Sequence, residues 1–199
     1  MNIDTVLSEN ISTKAMLYLT AFTTAVFLGQ LSVCRFKSNL KKTVILFASV
    51  VLFIEPVILV FCSDNIIAIK GTIYLLILLY SSFSDFETMK CDDHLHTMIL
   101  ITAFIGIELN AIPNMILSGF FIGGIMLIPS LITKKKPIGG ADIKLSTASA
   151  FLLGLNKGII GLLIGMVLAV IFNAIKKNRK KGFPMIPYLA VGFMTAFLI

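Results

Sequence analysis

Two aspartates at the ends of apolar segments have the chemistry of an acid–base pair. Asp142 follows Gly139 and Gly140 in "KKKPIGGADIKLSTASAF" and precedes an apolar run. Asp85, in "YSSFSDFETMKCDDHLHTMIL", comes directly after another apolar run. Two carboxylates held within a few ångströms in a partly dry site cannot both ionise, so they share one proton. Such a pair suits peptide hydrolysis, because the ionised acid takes a proton from water while the neutral acid polarises the scissile carbonyl.

The composition predicts that these aspartates belong to a membrane protein. The chain has 199 residues, of which 57% are hydrophobic and 14% are charged. A soluble domain has about 45–50% apolar and about 25% charged residues. A bilayer core needs about 20 apolar residues per helical span, and runs of that order recur along nearly the whole chain. We therefore expect an all-α, polytopic integral membrane helix bundle that forms one domain over 1–199.

The polar breaks between the apolar runs predict about eight helices. The sixth is short for a full crossing, so it is either tilted or sunk among its neighbours. The predicted helices cover 15–34, 43–62, 67–84, 95–112, 114–132, 142–155, 157–175 and 184–199.

The basic residues predict the orientation of these helices. Only Lys14, Lys70 and Lys157 fall on one side, and the other 14 of the 17 basic residues fall on the opposite side. Positive residues stay cytoplasmic, so both termini are expected to face outward and both aspartates to lie at the cytoplasmic face. Topology and anionic lipid account for the net charge of +7. The sequence has no basic stretch interleaved with aromatic residues, so it does not indicate nucleic-acid binding. The 14 residues are Arg35, Lys37, Lys41, Lys42, Lys90, Lys134, Lys135, Lys136, Lys144, Lys176, Lys177, Arg179, Lys180 and Lys181.

Three segments resemble the type IV prepilin peptidases, which are GxGD membrane aspartic proteases related to archaeal preflagellin peptidases. "GGADIKL" is similar to the family motif G-x-G-D-x-K-L, and "DFETMKCDDHL" follows the family's Asp-x-Glu-Thr-Met segment. "FPMIPYLAVG" at 183–192 resembles the Ile-Pro segment that opens the last helix of the family. The resemblance implies a peptidase core over 67–199 after N-terminal helices in 1–66, and it implies no cofactor. It makes Asp85 and Asp142 catalytic, with four supporting motif residues: Gly139, Gly140, Ala141 and Lys144.

The chain departs from the family pattern at three places. Ala141 stands where a second glycine is usual, and alanine is tolerable there only at a negative φ. Cys91 and Asp92 replace an apolar residue and a proline, which removes a fixed φ from the loop. The loop between the first two helices is only about "RFKSNLKK". The family members that also N-methylate the cleaved pilin carry a large cysteine-bearing loop there, so we expect cleavage without methyl transfer.

The resemblance also implies the kind of substrate. A prepilin or pseudopilin has a short basic leader in the cytoplasm and an apolar helix in the bilayer of the cytoplasmic (inner) membrane. The bond to be cut lies between them, at the depth predicted for Asp85 and Asp142. Because the basic loops would repel such a leader, the acids Glu87, Asp92 and Asp93 are the candidates to bind it.

Other interpretations of the acids remain open. Asp142 alone fits a helix N-cap, and Asp85 alone fits a solvated acid beside the membrane. A non-catalytic pilus or secretion assembly factor, or a small ion-coupled transporter, would use the acids to bind partners or cations. A transporter would hold its acids near the midplane and have related halves, and the sequence indicates neither.

Several polar residues have two possible roles. Glu55, before Pro56, either forms a hydrogen bond within the bundle or handles protons or substrate. Lys144 either lowers the pKa of a nearby carboxylate or extends to the interface. His94 and His96 in "CDDHLH" suggest metal ligation, but histidines at i and i+2 share a face only in a strand, and this segment leads into a helix. We therefore expect no metal.

Overall fold

The computed structural model describes residues 3–36, 40–62, 64–132, 139–175 and 183–199. This part of the chain is 90% helical and contains no strand, so the predicted all-α class is confirmed. A short 3₁₀ helix, Leu109–Ala111, precedes α5. The helices are α1 (Ile3–Phe36), α2 (Leu40–Phe61), α3 (Asn65–Thr88), α4 (Asp93–Ala103), α5 (Ile112–Ile132), α6 (Gly140–Leu153), α7 (Leu155–Ile175) and α8 (Ile186–Leu198).

Not every helix is long enough to cross a bilayer. Within the described residues, α8 is a shorter apolar helix, and α4 has only 11 residues. At 1.5 Å per residue, α4 extends about 16 Å, roughly half the hydrocarbon thickness. In the part of the chain that the structure describes, five segments are long and apolar enough to span: Ser12–Phe36, Lys41–Phe61, Asn65–Thr88, Leu109–Ile132 and Leu155–Ile175.

The expectation of one helix over 95–112 is wrong. α4 ends at Ala103, and the chain then turns before the 3₁₀ helix. Gly106 has a φ of 61° in this turn, a conformation that glycine adopts readily and that a right-handed helix cannot contain. The apolar run continues through the turn, so hydropathy alone does not locate the break.

The chain divides into two compact units, Met1–Leu76 and Ile77–Ile199, and the boundary falls within α3. In the first unit α1 packs against α2. The buried carboxyl of Glu55 accepts a hydrogen bond from the Thr72 hydroxyl at 2.5 Å, which ties α2 to α3. Lys14 Nζ donates to the carbonyl oxygen of Leu59 at 2.8 Å, near the C-terminus of α2. Lysine suits this place, because the last carbonyls of a helix have no partner within the helix.

In the second unit α6 packs against α4, α5, α7 and α8. Leu145, Ala148 and Leu152 form part of its buried surface. In a bilayer the hydrophobic effect does little to hold helices together, so close van der Waals packing has to do so. α6 therefore stands in a fixed frame of four helices, and this frame positions Asp142.

Glycines allow the closest approach between helices in the second unit. An added Cβ at Gly165 would lie 2.8 Å from Leu189 Cα, and one at Gly192 would meet the backbone of Gly161 and Gly165. Small residues at such places let two backbones come together. The packing of α7 on α8 fixes where α8 begins, and the start of α8 is part of the site described next.

Candidate active site

Asp142 lies in the first turn of α6, close to the residue that caps the helix. Gly139 is the N-cap residue, so the interpretation of Asp142 as the N-cap is wrong by three positions. The Asp142 carboxylate instead accepts a hydrogen bond from the backbone N–H of Gly139, as the third residue of a capping box does. An added Cβ at Gly139 would lie 2.7 Å from Asp142 Oδ2. Glycine at 139 therefore leaves room for the carboxylate.

The other motif residues have simpler surroundings. An added Cβ at Gly140 would meet nothing within 4 Å. Among the described residues other than glycine, Met89 alone has a positive φ, so Ala141 has the negative φ that the sequence analysis required. The helix accommodates alanine where the family usually has its second glycine.

Asp85 lies in the last turn of α3, which continues to Thr88, so the acid is within the helix rather than after it. The residue is only 7% exposed. Its Oδ2 accepts a hydrogen bond at 3.1 Å from the backbone N–H of Ile186, the first residue of α8. The first N–H groups of a helix have no partner within the helix, and Asp85 supplies one from a distant part of the chain. Pro187, next in α8, has no N–H that needs a partner.

The charge of Asp85 affects the pKa of Asp142. Burial first, and then the charge of Asp85, raise the pKa of Asp142 to about 7, against the opposing effect of the Gly139 hydrogen bond. A neighbouring carboxylate has this effect because two like charges in a poorly solvated site oppose each other. At neutral pH Asp142 can therefore hold or release a proton.

The loop between α3 and α4 is closed by hydroxyl groups. The Ser84 hydroxyl donates to the carbonyl oxygen of Lys90 at 2.9 Å, and Met89 turns the chain with a φ of 55°. Asp92, the N-cap residue of α4, has a φ of −73°. This value lies within the range that proline imposes, so the loop adopts the expected backbone without the proline.

Cys91 is a site residue that the sequence analysis recorded only as a departure from the family pattern. Burial raises the pKa of its thiol to about 11, and the charges of Asp85, Asp92 and Asp142 add to this increase. The half-buried thiol is therefore neutral at physiological pH and lies within the field of both candidate catalytic acids. The sequence could have indicated this role, because Cys91 lies between the end of the helix that contains Asp85 and the start of the next helix.

A family comparison bears directly on these residues. The model of the type IV leader peptidase family matches residues 72–174, more than half of the chain and the part that contains both Asp85 and Asp142. The chain belongs to this family. The predicted family is confirmed, and the protein is a leader peptidase-like protease. With five helices suited to crossing a bilayer within its described residues, it is a multi-pass membrane protein. No curated protein and no solved structure matches the chain.

The acids named as leader-binding candidates lie at the end of α3 and the start of α4, in different surroundings. Glu87 is exposed in the last turn of α3, and Asp92 is partly exposed with its Oδ2 3.9 Å from His94 Nε2. Lys144 Nζ lies 2.7 Å from Asp93 Oδ1. The hydrogen bond from Lys144, and then its charge, lower the pKa of Asp93. Of the two roles considered for Lys144, the structure favours the pairing with a nearby carboxylate, and that carboxylate is Asp93.

The two histidines of the peptidase lie in contrasting environments. His94 is exposed, whereas His96 is 5% exposed and burial lowers the pKa of its imidazole. Among the described residues, neither ring nitrogen of His96 has a hydrogen-bond partner. No three His, Cys, Asp or Glu residues in the described ranges group as a metal site.

Proposed function

We propose that Asp85 and Asp142 are the catalytic dyad of a membrane aspartic endopeptidase that removes the basic leader of type IV prepilin-like substrates. The observation that carries this proposal is the effect of the Asp85 charge on Asp142, whose pKa rises to about 7. A general acid that holds a proton near neutral pH beside a second carboxylate is what peptide hydrolysis by two acids requires.

The surroundings of the two acids support different roles for them. Asp85 accepts the Ile186 N–H at the start of α8, where the partial positive charge of a helix N-terminus attracts a carboxylate. We assign the ionised role to Asp85 and the shared proton to Asp142. Each is held by a backbone N–H, of Ile186 or of Gly139, which fixes its position without a further side chain.

The reaction then proceeds through a tetrahedral intermediate. Asp85 takes a proton from water as the water oxygen attacks the scissile carbonyl carbon, and Asp142 gives its proton to the carbonyl oxygen. When the C–N bond breaks, the leaving amine takes the proton held by Asp85. The carbonyl oxygen returns its proton to Asp142, so both acids recover their starting states and no cofactor takes part.

The substrate and the location follow from the same proposal. We place the dyad at the cytoplasmic face of the inner membrane, where a basic leader meets an apolar helix. Glu87, Asp92 and Asp93 are the acids proposed to bind the leader. Most of the basic residues on which this orientation depends, including Lys37 and those within 134–136 and 176–181, lie outside the described residues.

Co-expression with a type IV prepilin tests the proposal. Leader removal, followed on a gel, should occur with the wild type and be lost in Asp85→Asn and Asp142→Asn, while all proteins accumulate in the membrane. Glu108→Gln is the matched control, because this exposed acid follows the other end of α4. Normal processing by either aspartate variant would reject the dyad, and absence of processing by the wild type would favour a non-catalytic assembly role.

A further inference from the structure

An exposed ion pair joins the start of α6 to the start of α4. Lys144 lies two residues after Asp142, and Asp93 is the first residue of α4. Their charged atoms are 2.7 Å apart, and the side chains are 55% and 76% exposed. Exposed pairs of this kind contribute little to stability, because water solvates both charges and the long lysine side chain loses freedom. Another cation can therefore take the place of Lys144 at small cost.

The ion pair lies close to the proposed dyad along the chain. The Cys91 thiol is in the field of Asp85, Asp92 and Asp142. Asp93 follows Cys91 by two residues, which even in a fully extended chain is a distance of about 7 Å. The start of α4, with Asp93, is therefore near the proposed dyad, where a basic leader would approach.

We propose that Lys144 holds Asp93 in the free enzyme in place of a basic side chain of the leader, and that a leader lysine or arginine displaces it on binding. This inference rests on the proposed function and adds a regulation of the same site. The exchange replaces one cation on Asp93 by another, and the released ammonium group moves into water. Lys144 is thus a specificity-determining residue, because a basic leader gains from Asp93 only what exceeds the Lys144 pair, whereas a leader without a basic side chain leaves that pair in place.

A double-mutant cycle on Lys144 and Asp93 tests the exchange. The ligand is a fluorescently labelled synthetic peptide with two lysines, and a peptide with glutamines in their places is its control. Binding is measured by fluorescence anisotropy to the full chain in nanodiscs of zwitterionic lipid, so that anionic lipid does not compete. The variants are Lys144→Gln, Asp93→Asn and the double variant, with Lys41→Gln as the control for removal of an exposed positive charge elsewhere.

We expect Lys144→Gln to bind the lysine peptide about two- to five-fold more tightly than the wild type, the range that corresponds to an exposed pair. Asp93→Asn should bind the lysine peptide about as the wild type does, because it loses the Lys144 pair in the free enzyme and the peptide pair in the complex. In the Asp93→Asn background, Lys144→Gln should have no effect, because the acid for which the two cations compete is gone. The glutamine peptide should not respond to either change, and Lys41→Gln should bind the lysine peptide as the wild type does.

Two results would overturn the exchange. An equal gain from Lys144→Gln with and without Asp93 would mean that Lys144 acts only through its general positive field. Weaker binding by Lys144→Gln would mean that the pair merely holds α4 in place. Prepilin cleavage by the wild type, measured in parallel, separates the two proposals. A cleaving enzyme with either of these results rejects the exchange alone, whereas an enzyme that does not cleave rejects the proposed function whatever the peptide does.

Discussion

Asp142 is held by the backbone N–H of Gly139, the N-cap residue of its own helix, and this arrangement makes Gly139 a sensitive position of the motif. The sequence analysis identified the two acids, because charged residues beside apolar runs are visible in the sequence. It did not identify why residue 139 is a glycine. The reason is a steric one, a carboxylate oxygen 2.7 Å from the place of a Cβ, and such a contact depends on side-chain position rather than on residue type.

Gly139→Ala should therefore reduce leader cleavage about 10- to 100-fold, because the new methyl group displaces the Asp142 carboxylate, and a misplacement of about 1 Å is costly in catalysis. Gly140→Ala is the matched variant, since an added Cβ there meets nothing within 4 Å, and it should cleave at nearly the wild-type rate. The measurement is the initial rate of prepilin cleavage at equal enzyme concentration. Equal rates for the two variants would contradict the steric role of Gly139.

The titration of Asp142 predicts the pH dependence of cleavage. Its pKa is raised to about 7, and in the proposed mechanism it must hold a proton. As pH rises through this value the acid loses that proton, so kcat/KM should fall about tenfold per pH unit on the alkaline side. Protonation of Asp85, the proposed base, should lower kcat/KM on the acidic side, so the pH profile should be bell-shaped. Its two apparent pKa values belong to the pair of aspartates rather than to either one.

Purified enzyme in nanodiscs, assayed between about pH 5 and pH 9, measures this profile. The Glu108→Gln variant should give the same curve, which controls for general surface charge. A rate that continues to rise up to the alkaline end would show that Asp142 does not act as the neutral acid.

At the scale of the helices, the start of α8 is the feature that the sequence indicated least directly. The resemblance placed an Ile-Pro segment there, and the structure gives this segment a physical role, because Ile186 donates its N–H to Asp85, 101 residues earlier in the chain. Periodicity and capping patterns describe neighbours along the sequence, and they contain no information about a partner so far away. The length of α4 was missed for a related reason, because its apolar run hides the turn at Gly106.

The link between α3 and α8 predicts that two inactive variants differ in stability. Asp85→Asn keeps an oxygen that accepts the Ile186 N–H, whereas Asp85→Ala leaves this buried donor without a partner. Loss of a helix cap costs about 1–2 kcal/mol, so Asp85→Ala should melt about 2–8 °C below Asp85→Asn in a chain of this size. Thermal unfolding in detergent, followed by circular dichroism, measures the difference. Coincident melting curves would show that the hydrogen bond to α8 does not stabilise the fold.

At the scale of the whole molecule, composition predicted the class of protein and left its subdivision open. The apolar composition with few charges predicted a membrane helix bundle, and the family match and the helices agree with this. The predicted boundary at residue 66 and the boundary between the compact units after Leu76 describe different things, because the first follows the resemblance and the second follows packing. The orientation of the termini depends on loop charges and stays a prediction.

The connection between α1 and α2 limits what the whole enzyme can do to its product. α1 ends at Phe36 and α2 begins at Leu40, so three residues stand where the bifunctional members of the family have a large cysteine-bearing loop. Methyl transfer needs a second binding site for a methyl donor, and this connection is too short to contribute one.

We therefore expect the cleaved pilin to carry a free, unmethylated N-terminus. Mass spectrometry of mature pilin from a host without other pilin methylases measures this directly, with pilin processed by a bifunctional peptidase as the methylated control. An added methyl group on pilin processed by this chain in that host would place methyl transfer elsewhere in the bundle.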